Sequence, residues 1–137
     1  MRTASSQHRQ KGASVVEMAL LLPVFLTVVF GIIDYGRFFF IRAAVTAAVA
    51  DAARTAVLPA ATDEQITRIV ETALRDPITT GTGGQVAVSV APETRTPGTV
   101  VTVTATMPFT PLVLPGFLGT QLFPQNVAAS AAMTVEP

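Results

Sequence analysis

Between Ala13 and Ile33 the chain reads ASVVEMALLLPVFLTVVFGII, apolar or small at every position except Glu17. A helix rises ~1.5 Å per residue, so about 21 such residues reach across the ~30 Å hydrocarbon core of a bilayer. The run divides the chain. In front lies a polar segment, MRTASSQHRQKG, with Arg2, Arg9 and Lys11; behind it come roughly 100 residues, enough for one modest core.

Glu17 needs an explanation. An ionisable group in a spanning segment is costly and normally faces a partner or water. It lies about one turn into the run, so an interfacial carboxylate reaching back to water is one reading. The other uses its spacing. A chain cut after Gly12 would carry a charged amine on Ala13, one helical turn from Glu17. That amine, on the same chain or a neighbour, could neutralise the carboxylate in lipid.

Glycine followed five positions later by glutamate, at the head of an apolar helix, resembles the prepilin-peptidase recognition site of type IV pilins. The longer run KGASVVEMALLLPVFLTVVFGIIDYGRFFFIRAAVTAAVADAAR is more specific. It is similar to the N-terminal signature of the TadE-like family of tight-adherence (Flp, type IVb) pilus assembly proteins. The matching features are Gly12, Glu17, Ala19-Leu20, Pro23, Phe30-Gly31, Asp34, Gly36-Arg37 and Ala52-Ala53-Arg54. The resemblance implies processing between Gly12 and Ala13 by a prepilin peptidase and a role as a pseudopilin or minor pilin. It also implies a C-terminal domain outside the cytoplasm. Type IV pilins carry a proline in the first half of this helix too.

Composition suits a small anchored domain: 50% hydrophobic, 13% charged, formal net charge +0. The balance gives no support to nucleic-acid binding, and no Lys/Arg patch follows the span. The absence of cysteine removes disulfides and thiolate metal sites, and says nothing against an oxidising compartment. The single histidine, His8, stands in the leader. Ser89 and Ser130 have no nearby base, and the Gly81–Gly84 run lacks the lysine and context of a phosphate loop. No catalytic, metal or cofactor site is expected, and the protein is not expected to be an enzyme.

Arg2, Arg9 and Lys11 against Arg37 and Arg42 put the N-terminus on the cytoplasmic side by a small margin. The competing reading is a secretory signal cut near Ala48-Val49-Ala50. The apolar run is too long for that, and GIIDYGRFFFIR precedes any small-residue site.

Pro23 removes a backbone donor and predicts a bend. Gly31 and Gly36 read as points of close approach or slight flexibility. Asp34 and Arg37, three apart, are expected to pair on the surface. Phe38, Ile41, Val45, Ala48 and Ala52 form an apolar stripe, which suits either a globular domain or a coiled-coil seam. No stop occurs until Leu58-Pro59. Thr62-Asp63-Glu64-Gln65 then matches a capping box opening a second helix, with Ile66, Ile69, Val70, Ala73 and Leu74 on one face and Asp76-Pro77 as its end.

Period two follows. Val86, Val88 and Val90 alternate with small residues, Val101 to Met107 alternate with threonines, and Asn126 to Val135 set Val127, Ala129, Ala131, Met133 and Val135 on one face. The alanines of the last run would also suit a helix. Between the last two runs lies PFTPLVLPGFLGTQLFPQ, too rich in proline for a regular helix. It is also too apolar for a wholly exposed loop. It reads as a loop folded over the core, or as a partner surface formed by Phe109, Leu112, Leu114, Phe117, Leu118 and Phe123.

The expected fold is α+β: a long N-terminal transmembrane helix continuing into a small pilin-like domain with a second helix and a three-stranded antiparallel sheet. The expected division is a leader over 1–12, the span over 13–33, its extracytoplasmic continuation over 34–58 and the domain over 59–137. The expected function is that of a TadE-like pseudopilin in the inner membrane, needed for Flp pilus assembly. The expected partners are a prepilin peptidase, other pilins or pseudopilins, the assembly platform and the lipid bilayer. The alternative is a membrane-anchored extracytoplasmic binding module.

Overall fold

The structure is a computed structural model that describes residues 6–58, 60–75, 85–114, 116 and 121–136, with side chains from residue 12 onward. It is dominated by α1, Ser6–Ala56, a helix of 51 residues. At ~1.5 Å per residue this is roughly 75 Å of helix, far longer than one small domain needs. Burial divides it. Residues 12–28 are exposed throughout, with Leu20 at 71% and Phe25 at 63%, whereas Ile41, Val45, Val49 and Ala52 are fully buried.

The reason lies in the sequence. Residues 13–33 are apolar nearly all round, with Glu17 the one charge, and have no polar side to turn outward. The second half concentrates its apolar groups on the stripe from Phe38 through Ala52, leaving Asp51 and Arg54 exposed. The stripe is covered by a sheet and a second helix, so within this chain it is the spine of a globular core rather than a free seam.

α1 runs through Pro23 without interruption. The proline withholds the donor that the Ala19 carbonyl would receive. One turn later the Thr27 hydroxyl donates to the Pro23 carbonyl at 2.8 Å. Gly31 and Gly36 are not points of close approach within the chain, because a Cβ added at either would meet nothing within 4 Å.

α2, Asp63–Ala73, starts as its sequence predicts. Gln65 N donates to the Thr62 hydroxyl at 3.3 Å, and Thr62 N donates to Gln65 Oε1 at 3.3 Å. Ile66, Val70 and Leu74 are buried, while Ala73 stays exposed. The helix is capped at Leu74, ahead of Asp76-Pro77, which lie outside the described residues with the Gly81–Gly84 run.

Three strands form one antiparallel sheet in the order β1 (Ala87–Ala91), β2 (Val100–Pro108), β3 (Asn126–Thr134). Val103 of β2 faces both Val90 and Ala131, and Ala105 faces Val88 and Ala129, so each apolar alternation lands on the same sheet face. On β2, Val101, Val103, Ala105 and Met107 are buried. The last run is therefore a strand despite its alanines: pairing with β2 along its length outweighs a small intrinsic helix preference. Its small side chains let the sheet approach α1 closely.

The β1–β2 connection carries a cis Ala91-Pro92 bond and Gly98 at φ 85. Gly98 N donates to the Val135 carbonyl at 2.9 Å, and Val135 N returns a bond to the Thr99 carbonyl at 2.9 Å. Arg95 in this connection donates to the Ala61 carbonyl and pairs with Asp63, fastening the start of α2 to the sheet.

Candidate functional site

The head of α1 carries Gly12, Ala13 and Glu17. The helix begins at Ser6, so Gly12 lies inside it, exposed and with open space around it. Glycine costs a helix up to about 1 kcal/mol relative to alanine, so Gly12 weakens the helix locally. Ala13 and Glu17 stand four apart and share a helix face, both exposed. Pro23 follows on the exposed half.

The second constellation is formed where α1 leaves the apolar run. Asp34 directly follows Ile33, yet it is fully buried. Its carboxylate receives three successive backbone donors from the loop between β2 and β3. Leu112 N lies 3.0 Å from Oδ1, Val113 N lies 3.3 and 3.2 Å from the two oxygens, and Leu114 N lies 2.8 Å from Oδ2. A row of amides converging on a carboxylate satisfies the charge without a cation.

This corrects the expectation that Asp34 and Arg37 pair on the surface. Asp34 is occupied by loop amides, and Arg37 turns to the same loop. Its Nη1 donates to the Thr110 carbonyl at 3.0 Å, and its guanidinium lies 5.6 Å from the centre of the Phe109 ring. Two charged residues, three positions apart on one helix, thus hold donors and acceptors of one loop.

Aromatic rings complete the clasp. Phe109 packs edge-on to Phe38 at 5.3 Å between centroids and lies 5.6 Å from Phe123. Phe123 also approaches Tyr35 at 6.2 Å. Of the six loop residues read as a partner surface, Phe109, Leu114 and Phe123 are buried here and Leu112 is 70% exposed. Phe117 and Leu118 lie outside the described residues. The folded-over loop describes the buried members, while Leu112 and, later in the loop, Leu122, at 65%, remain open.

Sequence reasoning missed the partners of Asp34. The amides belong to apolar residues 78 to 80 positions away, and backbone donors leave no mark in a sequence. One signal was present: a charge at the end of an apolar run, and a proline-interrupted apolar loop whose amides need acceptors. Among the described residues, no group of three or more His, Asp or Glu could hold a metal ion.

This geometry defines a class: a small α+β domain built on the far half of a helix whose near half is long and apolar enough to cross a membrane. Residues 12–54 match the family model described as TadE-like protein, so the chain carries a TadE-like N-terminal segment, consistent with a TadE-like pilus assembly protein. The match supports a protein associated with the Tad pilus. It begins at Gly12 and ends just short of the end of α1, leaving α2 and the sheet outside it. No curated protein and no solved structure matches the chain.

Proposed function

We propose that the protein is a TadE-like pseudopilin, or minor pilin, processed between Gly12 and Ala13 by a prepilin peptidase and required for assembly of tight-adherence pili. The observation that carries this reading is the coincidence of two boundaries. The family match begins at Gly12, where the polar leader gives way to the apolar run. Processing there gives Ala13 an amine on the helix face of Glu17, which neutralises a carboxylate otherwise costly in lipid. The processed helix then sits in the inner membrane, and the domain lies on the extracytoplasmic side. There it presents its surface to other pilins and to the assembly platform.

The test is the N-terminal sequence of the membrane-bound protein, by mass spectrometry, in cells with and without the cognate prepilin peptidase. A start at Ala13 that requires the peptidase is expected. An intact Met1, or a soluble product starting near Asp51, would overturn the proposal. Glu17→Leu supplies a second readout: it is expected to keep the protein in the membrane and abolish piliation. A helix serving only as an anchor would tolerate the change, or insert more favourably.

A further inference from the structure

We propose that the loop between β2 and β3 is a membrane-docking element: Leu112 and Leu122 enter the headgroup layer of the leaflet on the domain's side and hold the domain against the bilayer. The inference rests on the reading of residues 13–33 as a membrane span, and goes beyond it by assigning a surface of the domain to lipid.

Position comes first. Asp34 follows the last residue of the apolar run, and Leu112 N is bonded to it at 3.0 Å. Leu122 adjoins Phe123, whose ring lies 6.2 Å from that of Tyr35. Leu112 is therefore tied directly to the first turn of α1 beyond the run, and Leu122 is placed near it through the Phe123 ring. One helical turn rises ~5.4 Å, whereas the headgroup region adds roughly 5–8 Å on each side of the hydrocarbon. Wherever Ile33 marks the edge of the hydrocarbon, Leu112 lies at headgroup depth.

Chemistry points the same way. Leu112 and Leu122 are 70% and 65% exposed, and on α1 they are continued by Ile32 at 67%, Ile33 at 51% and Tyr35 at 57%. Exposed apolar side chains are thus present both at the end of the span and in the loop fastened to it. Tyr35 has the amphipathic ring that favours the interface. The backbone around Leu112 is also prepared for a poorly hydrated setting. The amides of Leu112, Val113 and Leu114 are taken by Asp34, and the Thr110 carbonyl by Arg37. Unpaired backbone groups are what normally keep a loop out of lipid. Here the clasp pairs four of them around Leu112 and leaves that side chain exposed.

The protein has no tryptophan, so single substitutions report depth cleanly. Leu112→Trp and Leu122→Trp would be placed in the full chain, beside Val24→Trp in the span and Val100→Trp at the far end of β2. Each variant is reconstituted at high dilution in phosphatidylcholine vesicles containing some phosphatidylglycerol. The acyl chains are brominated either near the headgroup or near the methyl end. Leu112→Trp and Leu122→Trp are expected to lose emission to the shallow bromines and to shift to the blue, Val24→Trp to the deep bromines, and Val100→Trp to neither. If Val24→Trp is quenched while both loop variants behave like Val100→Trp, the docking proposal falls, the span stands, and the loop faces water or protein. If Val24→Trp itself is unquenched, the span reading fails and takes the proposal with it. Both loop positions are exposed, so the substitutions leave the core unchanged.

Discussion

Asp34 shows how much one side chain can decide. A lone carboxylate buried at the end of an apolar helix would be expensive, and the loop removes the cost by turning three amides toward it. The interaction is reciprocal: without the carboxylate, the amides of Leu112, Val113 and Leu114 lose the acceptor on which they converge. Each buried donor left unsatisfied costs about 1–3 kcal/mol. Asp34→Ala is therefore expected to destabilise the domain by about 3 kcal/mol, with water rescuing the more open Leu112 end. Asp34→Asn keeps one accepting oxygen but turns an amino group on a row of donors, for a loss of about 2 kcal/mol. Urea unfolding in detergent, followed by circular dichroism, reads both; a midpoint unchanged in Asp34→Ala would show that the clasp contributes nothing. Residues of this kind are the least legible in a sequence. Glu17 announces itself by interrupting an apolar run, whereas Asp34 gains its meaning only from a loop folded back across 78 residues.

At the scale of elements, legibility follows the range of the interactions that make each one. The capping box of α2 is local, four residues of side-chain and backbone chemistry, and it stands where its sequence puts it. Thr62→Ala removes the acceptor for Gln65 N and is expected to cost about 1 kcal/mol, read as a lowered thermal midpoint. Thr62→Ser, which keeps the hydroxyl, should restore most of that loss. The strands were legible for a related reason: alternation is a local pattern, and it survives because Val103 and Ala105 of β2 meet apolar partners on both sides, and Val101 and Met107 meet them on β3. The ambiguity of the alanine-rich run was real, since composition alone favours a helix there. Only its pairing with β2 settles it, and pairing is long-range. Arg95 belongs to the same illegible group. It stands in the connection between β1 and β2, where no local pattern marks it, yet it joins the start of α2 to the sheet.

For the whole molecule, the long helix is two structures in one covalent rod, and the division can be tested. The near half contributes almost nothing to the core, which begins with the partly buried Phe30 and Phe38 and is fully closed by Ile41. The far half contributes its spine. A charge placed in either half should therefore damage one property and spare the other. Phe25 is 63% exposed and lies near the middle of the apolar run. Phe25→Arg sets a charge near the bilayer centre, a cost of about 2.5–3.5 kcal/mol on insertion scales. It is expected to weaken membrane retention on alkaline extraction and to leave the urea midpoint of the domain unchanged. Val49 is fully buried between helix and sheet. Val49→Arg forces an unpaired charge into the core, so it should unfold the domain while the protein still sediments with membranes. If Phe25→Arg lowered the domain midpoint as well, the two halves would be energetically one body. The docking loop refines this picture at the joint. It is fastened through Asp34 and Arg37 to the first turn beyond the span, so loosening it by Asp34→Ala should change how firmly the domain is held without changing whether the helix is inserted.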